Sequence, residues 1–336
     1  MTDDAGGNAT DVVIAARDAA DTIGGAVRSA LSQPETASVI VVDDGSLDAT
    51  AREAITAADA VGASERIAVL HAEGDGPAAA RNRAIAFSRA PFIAVLDADD
   101  AFMPGRLAAL HAARERVGDC DVIADDIAFV AEHAPVGSRP AGAAEPEWSS
   151  GTLTLKAFVE GNRTVRGRPR GELGFLKPVF SRAFLDAHAL RYREDMRLGE
   201  DFDLLTRALA LGARMELVER VGYAGLVRAD SLSARHRTVD LERLWRACTA
   251  LSDDPAVPED ARHALRVHAR EVEGRWRHRR FLDERRARGT VGASLRTPAR
   301  SLPAIAVAIL RDKLGGDRAT GGEIAGRTLL TGRDRS

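Results

Sequence analysis

Apolar and polar positions come in short alternating blocks along the first third of the chain. Val12-Val13-Ile14-Ala15-Ala16 is an apolar run closed by a polar turn, and Thr22 to Leu31 carries Ile23, Val27 and Leu31 at helical spacing. Val39 to Val42 reads as a second buried strand running into Asp43-Asp44-Gly45-Ser46, with Ser46 or Asp48 placed to cap a helix that starts near Thr50. Ile67 to Leu70 is a third strand, Gly74 and Gly76 make a turn, and Pro77 opens a helix to about Ser88. Phe92 to Leu96 is apolar throughout, as a strand buried on both faces must be. A helix from Pro104 to Val117 and a strand at Asp121 to Ile123 complete the series. Such alternation predicts an α/β fold: a mostly parallel, Rossmann-like sheet with helices on both faces.

Residues 131–152 are rich in Pro, Gly and Ala, lose periodicity and read as a joint or surface loop. Order resumes with helices at Thr154 to Glu160, Phe180 to His188 and Asp201 to Leu211, the last stopped by Gly212, and a basic loop over 162–171. A strand at Leu217 to Val227 then leads into a polar loop holding Arg228 and His236. Beyond Val239 come amphipathic helices at Leu241 to Leu251 and Glu259 to Arg288, then a short apolar helix around Ile305. The expected division is a loose start (1–10), a nucleotide-binding half (11–130), the joint (131–152), an acceptor-binding half (153–238), an arginine-rich helical region (239–320) and a loose tail (321–336).

At 336 residues, 45% hydrophobic and 29% charged, the chain has the make-up of a folded soluble protein rather than a disordered one. Cys120 and Cys248 show no metal-ligand spacing and are expected to be reduced and buried. No apolar leader follows a basic start, and Leu302 to Leu310 is too short to span a bilayer, so a cytoplasmic location is expected. Net charge is only -3, yet Arg262 to Arg300 holds twelve arginines against four acids. That asymmetry fits either peripheral contact with an anionic membrane or a charged helical bundle packed on the rest of the chain. Nothing in it calls for nucleic acid.

Chemistry enters at Asp97, Asp99 and Asp100, three carboxylates at the end of the Phe92 strand. Packed there they repel one another unless a cation sits among them, and oxygen-only donors suit Mn²⁺ or Mg²⁺ shared with phosphate oxygens. The competing account is an Asp-rich turn ahead of a helix. Asp43 and Asp44 end the second strand on the same sheet edge, where one carboxylate can accept a base imide or a ribose hydroxyl. Arg81 follows the Gly-rich turn and can reach a phosphate or these aspartates, whereas Arg83 reads as part of a solvated face. Glu200-Asp201 opens a helix, where the helix dipole favours acids, and could alternatively supply a general base.

Val12 to Ala16, Val41-Val42-Asp43-Asp44-Gly45-Ser46, Ala80-Arg81-Asn82 and Val95-Leu96-Asp97-Ala98-Asp99-Asp100 together resemble glycosyltransferase family 2. Leu173-Gly174-Phe175-Leu176-Lys177-Pro178 and Leu198-Gly199-Glu200-Asp201-Phe202-Asp203 extend the likeness, which is to the bacterial exopolysaccharide branch, as in succinoglycan assembly. It covers roughly residues 11–240. The resemblance implies a GT-A fold and metal-assisted, inverting transfer from a nucleotide-diphosphate sugar, a UDP-sugar, to a saccharide or lipid-linked saccharide acceptor. It further implies that Ala15 and Arg17 flank the base, Asp43 or Asp44 holds it, Asp97 faces the ribose, Asp99 binds the metal, Glu200 shapes the acceptor site and Asp201 is the general base. The chain lacks the Gln-x-x-Arg-Trp signature of processive synthases, which favours transfer of one sugar. Two other readings stay open at this point: a sugar nucleotidyltransferase, and a non-catalytic relative serving as a membrane or assembly partner.

Overall fold

A computed structural model describes residues 7–118, 120–131, 150–163, 172–227, 237–313 and 328–330. Its first half repeats the predicted units: β1 (Thr10–Ala16), α1 (Ile23–Leu31), β2 (Thr36–Asp44), α2 (Thr50–Asp59), β3 (Ile67–Ala72), α3 (Pro77–Phe87), β4 (Phe92–Val95), β5 (Ala101–Phe102) and α4 (Arg106–Val117). Strands β3, β2, β1 and β4 lie side by side and parallel, so their C-terminal ends share one edge. Apolar burial on both faces holds them there: Val12, Val13, Ile14, Val39, Val41, Val42 and Ile93 are fully buried. At the opposite edge the Asp11 carboxylate accepts Ser38 Oγ, Ser88 Oγ and the Arg89 and Ala90 amides at 2.7–2.9 Å, fixing the entry to β4.

The sheet continues through β6 (Val122–Ala131), β7 (Ser150–Thr152), β8 (Val179–Ser181) and β9 (Met215–Val227), in the order β3-β2-β1-β4-β8-β6-β9-β5 with β7 on β9. Strand β8 runs antiparallel to both β4 and β6, while β6 and β9 are parallel. The sheet is thus parallel in its first half and mixed in its second, and one hydrophobic core runs beneath both. The helices of the second half are α5 (Leu155–Gly161), α6 (Arg182–Ala187), α7 (Glu200–Ala210), α8 (Thr238–Asp253), α9 (Glu259–Arg296) and α10 (Leu302–Lys313).

Several boundaries differ from expectation, the largest being the strand expected over Asp121–Ile123, which is Val122–Ala131. The helix expected over Phe180–His188 begins only at Arg182, because Val179 and Phe180 are buried as strand β8 between β4 and β6, and Ser181 Oγ then caps α6 at Phe184 N. The helix expected from Pro104 starts at Arg106, since Gly105 takes a left-handed φ of 68° at its N-cap. The expected end at Arg288 is a break at Gly289 (φ 72°, ψ 174°), after which helix resumes to Arg296. Most of the joint over 131–152 lies outside the described residues, as do 164–171 of the basic loop and the segment carrying Arg228 and His236.

The helical region divides in two. Leu244, Ala247, Cys248, Ala261, Leu265 and Val272 of α8 and α9 belong to the main core, and Trp245 stacks on Trp276 at 4.9 Å between centroids. Phe281, Ala293 and Ile305 form a separate small cluster with Leu302 and Ile309. Both cysteines are free and buried. No helix among the described residues is long and apolar enough to cross a membrane.

Candidate active site

The ends of β1, β2 and β4 bring Ala15, Arg17, Asp43, Asp44, Asp97 and Asp99 to one sheet edge. The two aspartates of β2 do different work there. Asp44 accepts three successive loop amides, Gly74 at 3.1 Å, Asp75 at 2.9 Å and Gly76 at 2.8 Å, and so clamps the turn into α3. Asp43 accepts Ser46 N at 3.0 Å through one oxygen, while the other lies 3.8 Å from His71 Nδ1. Gly45 (φ 74°) is where the two loops meet: a Cβ there would stand 3.2 Å from Gly74 N. Arg17 is half exposed beside the same turn, with Nη1 3.2 Å from where a Gly74 Cβ would be.

The second half closes over this edge. Gly199 (φ 72°) turns the chain into α7, and the first turn of that helix delivers Glu200 and Asp201 toward β4. Arg81, from α3, reaches across with Nη2 2.7 Å from Asp97 Oδ1 and Nη1 3.3 Å from Glu200 and 3.6 Å from Asp201. Lys177, just before β8, places Nζ 2.8 Å from Asp97 Oδ2 and 2.7 Å from Asp201 Oδ2. Two nearly buried cations thus tie Asp97 at the end of β4 to the α7 carboxylates. The Lys177 carbonyl is itself held by Arg106, a fully buried guanidinium paired with Asp125 at 2.8 Å.

The electrostatics follow from burial and pairing. Burial alone would raise the Asp97 carboxyl, but Lys177 and Arg81 hold it well below the usual carboxylate range. Burial would lower Lys177, but Asp201 and Asp97 push it up. Glu200 is raised by burial and by the adjacent Asp201. Asp100 is raised well above its ordinary value by burial and by its neighbours Asp97 and Asp99.

Asp100 is fastened to β9: its carboxylate accepts Tyr223 Oη and the Leu226 amide, each at 2.7 Å. Tyr223 Oη also accepts Asp97 N at 3.1 Å. Tyr192 lies under the Arg81 guanidinium, 5.4 Å from ring centroid to Cζ, and burial and the nearby Asp201 raise its hydroxyl well above its ordinary value. Asp99 stands between Asp97 and Asp100 in the triplet and is the residue that the family resemblance implies as the metal ligand. Among the described residues no three His, Cys, Asp or Glu side chains form a cage. That donor set fits a hard ion taking one or two carboxylates and the remaining ligands from a diphosphate and water.

The structure therefore brings Arg81, Asp97, Glu200 and Asp201 into one network, leaves Asp43 and Arg17 at its rim, and spends Asp44 on the loop. Arg83 points away, donating to the His71 carbonyl. Sequence reasoning missed Lys177, Tyr192 and Tyr223. A signal existed: Lys177 is one of only three lysines among 47 basic residues, and the chain has only two tyrosines, both at this site.

Comparison with known proteins shows the family and the fold. The family described as Glycosyl transferase family 2 matches residues 11–131. The succinoglycan biosynthesis protein ExoU of Rhizobium meliloti is 47% identical over 317 residues, covering 92% of this chain and 89% of that protein. Staphylococcus aureus TarS residues 1–349, solved with UDP-GlcNAc, superposes with a TM-score of 0.56 at 18% identity, covering 89% of this chain and 79% of the other. The mannosyltransferase PcManGT of Pyrobaculum calidifontis, solved with GDP-Man and Mn²⁺, gives 0.53 at 17% identity over 91% and 80%.

Proposed function

This chain belongs to glycosyltransferase family 2, and from that premise we propose that it moves one sugar from a UDP-sugar to a saccharide or lipid-linked saccharide acceptor during exopolysaccharide synthesis. The name of the 47%-identical relative supports the pathway class, and the UDP-sugar in the TarS structure supports the donor class. The carrying observation is that Asp97 at the end of β4 and Asp201 at the start of α7 share the Lys177 ammonium. A donor-side carboxylate and a candidate base in one network suit a single in-line displacement.

In this reading Ala15, Arg17 and Asp43 receive the base, and Asp97 the ribose. Asp43 is preferred to Asp44 because the latter's oxygens already accept three amides. Glu200 shapes the acceptor side. Asp201 takes the proton from the acceptor hydroxyl as its oxygen bonds the anomeric carbon and the bond to the diphosphate breaks, inverting that carbon. Asp99 would hold Mn²⁺ or Mg²⁺, whose chemistry is to neutralise charge gathering on the departing diphosphate. Arg81 and Lys177 are both paired with Asp201. An arriving diphosphate competes with the three carboxylates for the same cations.

Calorimetric titration with UDP, GDP and dTDP, with and without Mn²⁺, tests the donor class: UDP should bind best, and tighter with metal. Asp99→Ala should lose that metal-dependent gain and keep the metal-free affinity. Equal loss in both conditions would make Asp99 a structural residue, and no nucleotide binding by the parent protein would overturn the donor reading.

A further inference from the structure

We propose that the hairpin formed by the end of α9 and α10 is a docking surface for an anionic lipid bilayer, lying on it without crossing it. Four of the large apolar side chains exposed on this protein fall within one short stretch: Val291 is 75% exposed, Leu295 83%, Val307 51% and Leu310 56%. Their spacing puts them on two helix faces, i to i+4 in α9 and i to i+3 in α10. Between Leu302 and Leu310 there is no charged residue, and Ile305 faces inward on Phe281 and Ala293 while Val307 and Leu310 face out. A helix that is apolar on its outer side as well as its inner side calls for a second apolar medium.

Charge decides which medium. From Arg275 to Arg300 there are nine arginines against two acids, Asp283 and Glu284. Those acids are already engaged locally, Glu284 with Arg288 at 3.3 Å and Asp283 with Arg286 at 3.8 Å and Thr238. Arg277 pairs with Glu273 at 2.7 Å, which leaves the segment still rich in cations, and a second copy of the chain would bring two such segments together in a two-fold contact, which repels. Anionic headgroups over an apolar layer complement both features, because guanidinium groups meet phosphates while Leu and Val enter the acyl boundary. The break at Gly289 sets the apolar tail of α9 off from the part that packs on the core. Beyond α10 the chain is stitched back to the sheet, with Leu329 N donating to the Ile127 carbonyl at 2.9 Å and Leu330 N to Asp126 at 2.7 Å.

The test is co-sedimentation of the full chain with phosphatidylcholine vesicles and with mixed phosphatidylcholine–phosphatidylglycerol vesicles, at low and raised salt. The parent chain should sediment with the anionic vesicles alone. Replacing both apolar tips (Leu295→Asp with Leu310→Asp) should weaken partition at least about tenfold. Arg285→Ser with Arg286→Ser should weaken it by about fivefold per arginine and flatten the salt dependence. Unchanged thermal unfolding and UDP affinity in both variants separate lost docking from lost fold. Failure of the parent chain to bind anionic vesicles, or equal binding by the Leu variant, overturns the proposal. So does a change from dimer to monomer in light scattering of the Leu variant, which would make the face a self-contact.

Discussion

Arginine is held in opposite ways in the candidate active site and in the C-terminal hairpin. In the cleft Arg81 is 6% exposed and meets Asp97, Glu200 and Asp201 from three directions; in the hairpin Arg286 is 76% exposed and leans loosely on one acid. A buried cation is committed to its partners, because leaving either side unpaired in low dielectric is costly, whereas an exposed one stays available to whatever anion arrives. Location, not residue type, decides whether an arginine is committed to its partners or left available.

The contrast can be broken most severely at the base. Asp201→Asn keeps the hydrogen-bonding shape but not the proton acceptor, so sugar transfer followed with a labelled UDP-sugar should fall about a thousandfold while UDP affinity persists. Retained transfer would remove Asp201 from the reaction. Next comes Lys177→Met, which leaves Asp97 and Asp201 facing each other across an apolar stem and should cost about 3–5 kcal/mol in urea unfolding, with partial recovery in Lys177→Arg. Sugar transfer at the parent rate in the folded Lys177→Met protein would confine Lys177 to a structural role. The matching change in the hairpin, Arg286→Ser, should leave the urea midpoint unchanged.

A smaller effect sharpens the same rule away from the cleft. His111 is buried against Phe92, with Nε2 2.8 Å from Thr10 Oγ1 and Nδ1 unpartnered. Burial, then Arg114, lowers its pKa to about 4 from 6.5. Between those values the unfolded chain binds the proton that the native imidazole refuses, so stability falls as pH falls through that window, by about 3 kcal/mol at most. Urea midpoints from pH 7 to pH 4 should decline less in His111→Asn. Smaller again, Gly222→Ala should cost about 1–3 kcal/mol, because its Cβ would come 1.7 Å from the buried Asp125 carboxylate. Thermal unfolding measures it.

The amino-acid sequence by itself determined the βα units, the carboxylates closing β2 and β4, and the acids opening α7, because periodicity and chain punctuation are local properties. It also exposed the charge asymmetry of the helical region. Tertiary structure alone decided that Asp44 clamps a loop while Asp43 stays at the rim, that Val179–Ser181 is a strand, and that Lys177, Tyr192 and Tyr223 enter the site. It also divided the arginine-rich region into a packed part and an exposed hairpin. The physical reason is distance along the chain. Arg81 meets Glu200 across 119 residues, and the Asp97 amide meets Tyr223 across 126. Such pairings depend on β8 lying beside β4 and on β9 lying beyond it, arrangements that no local pattern encodes.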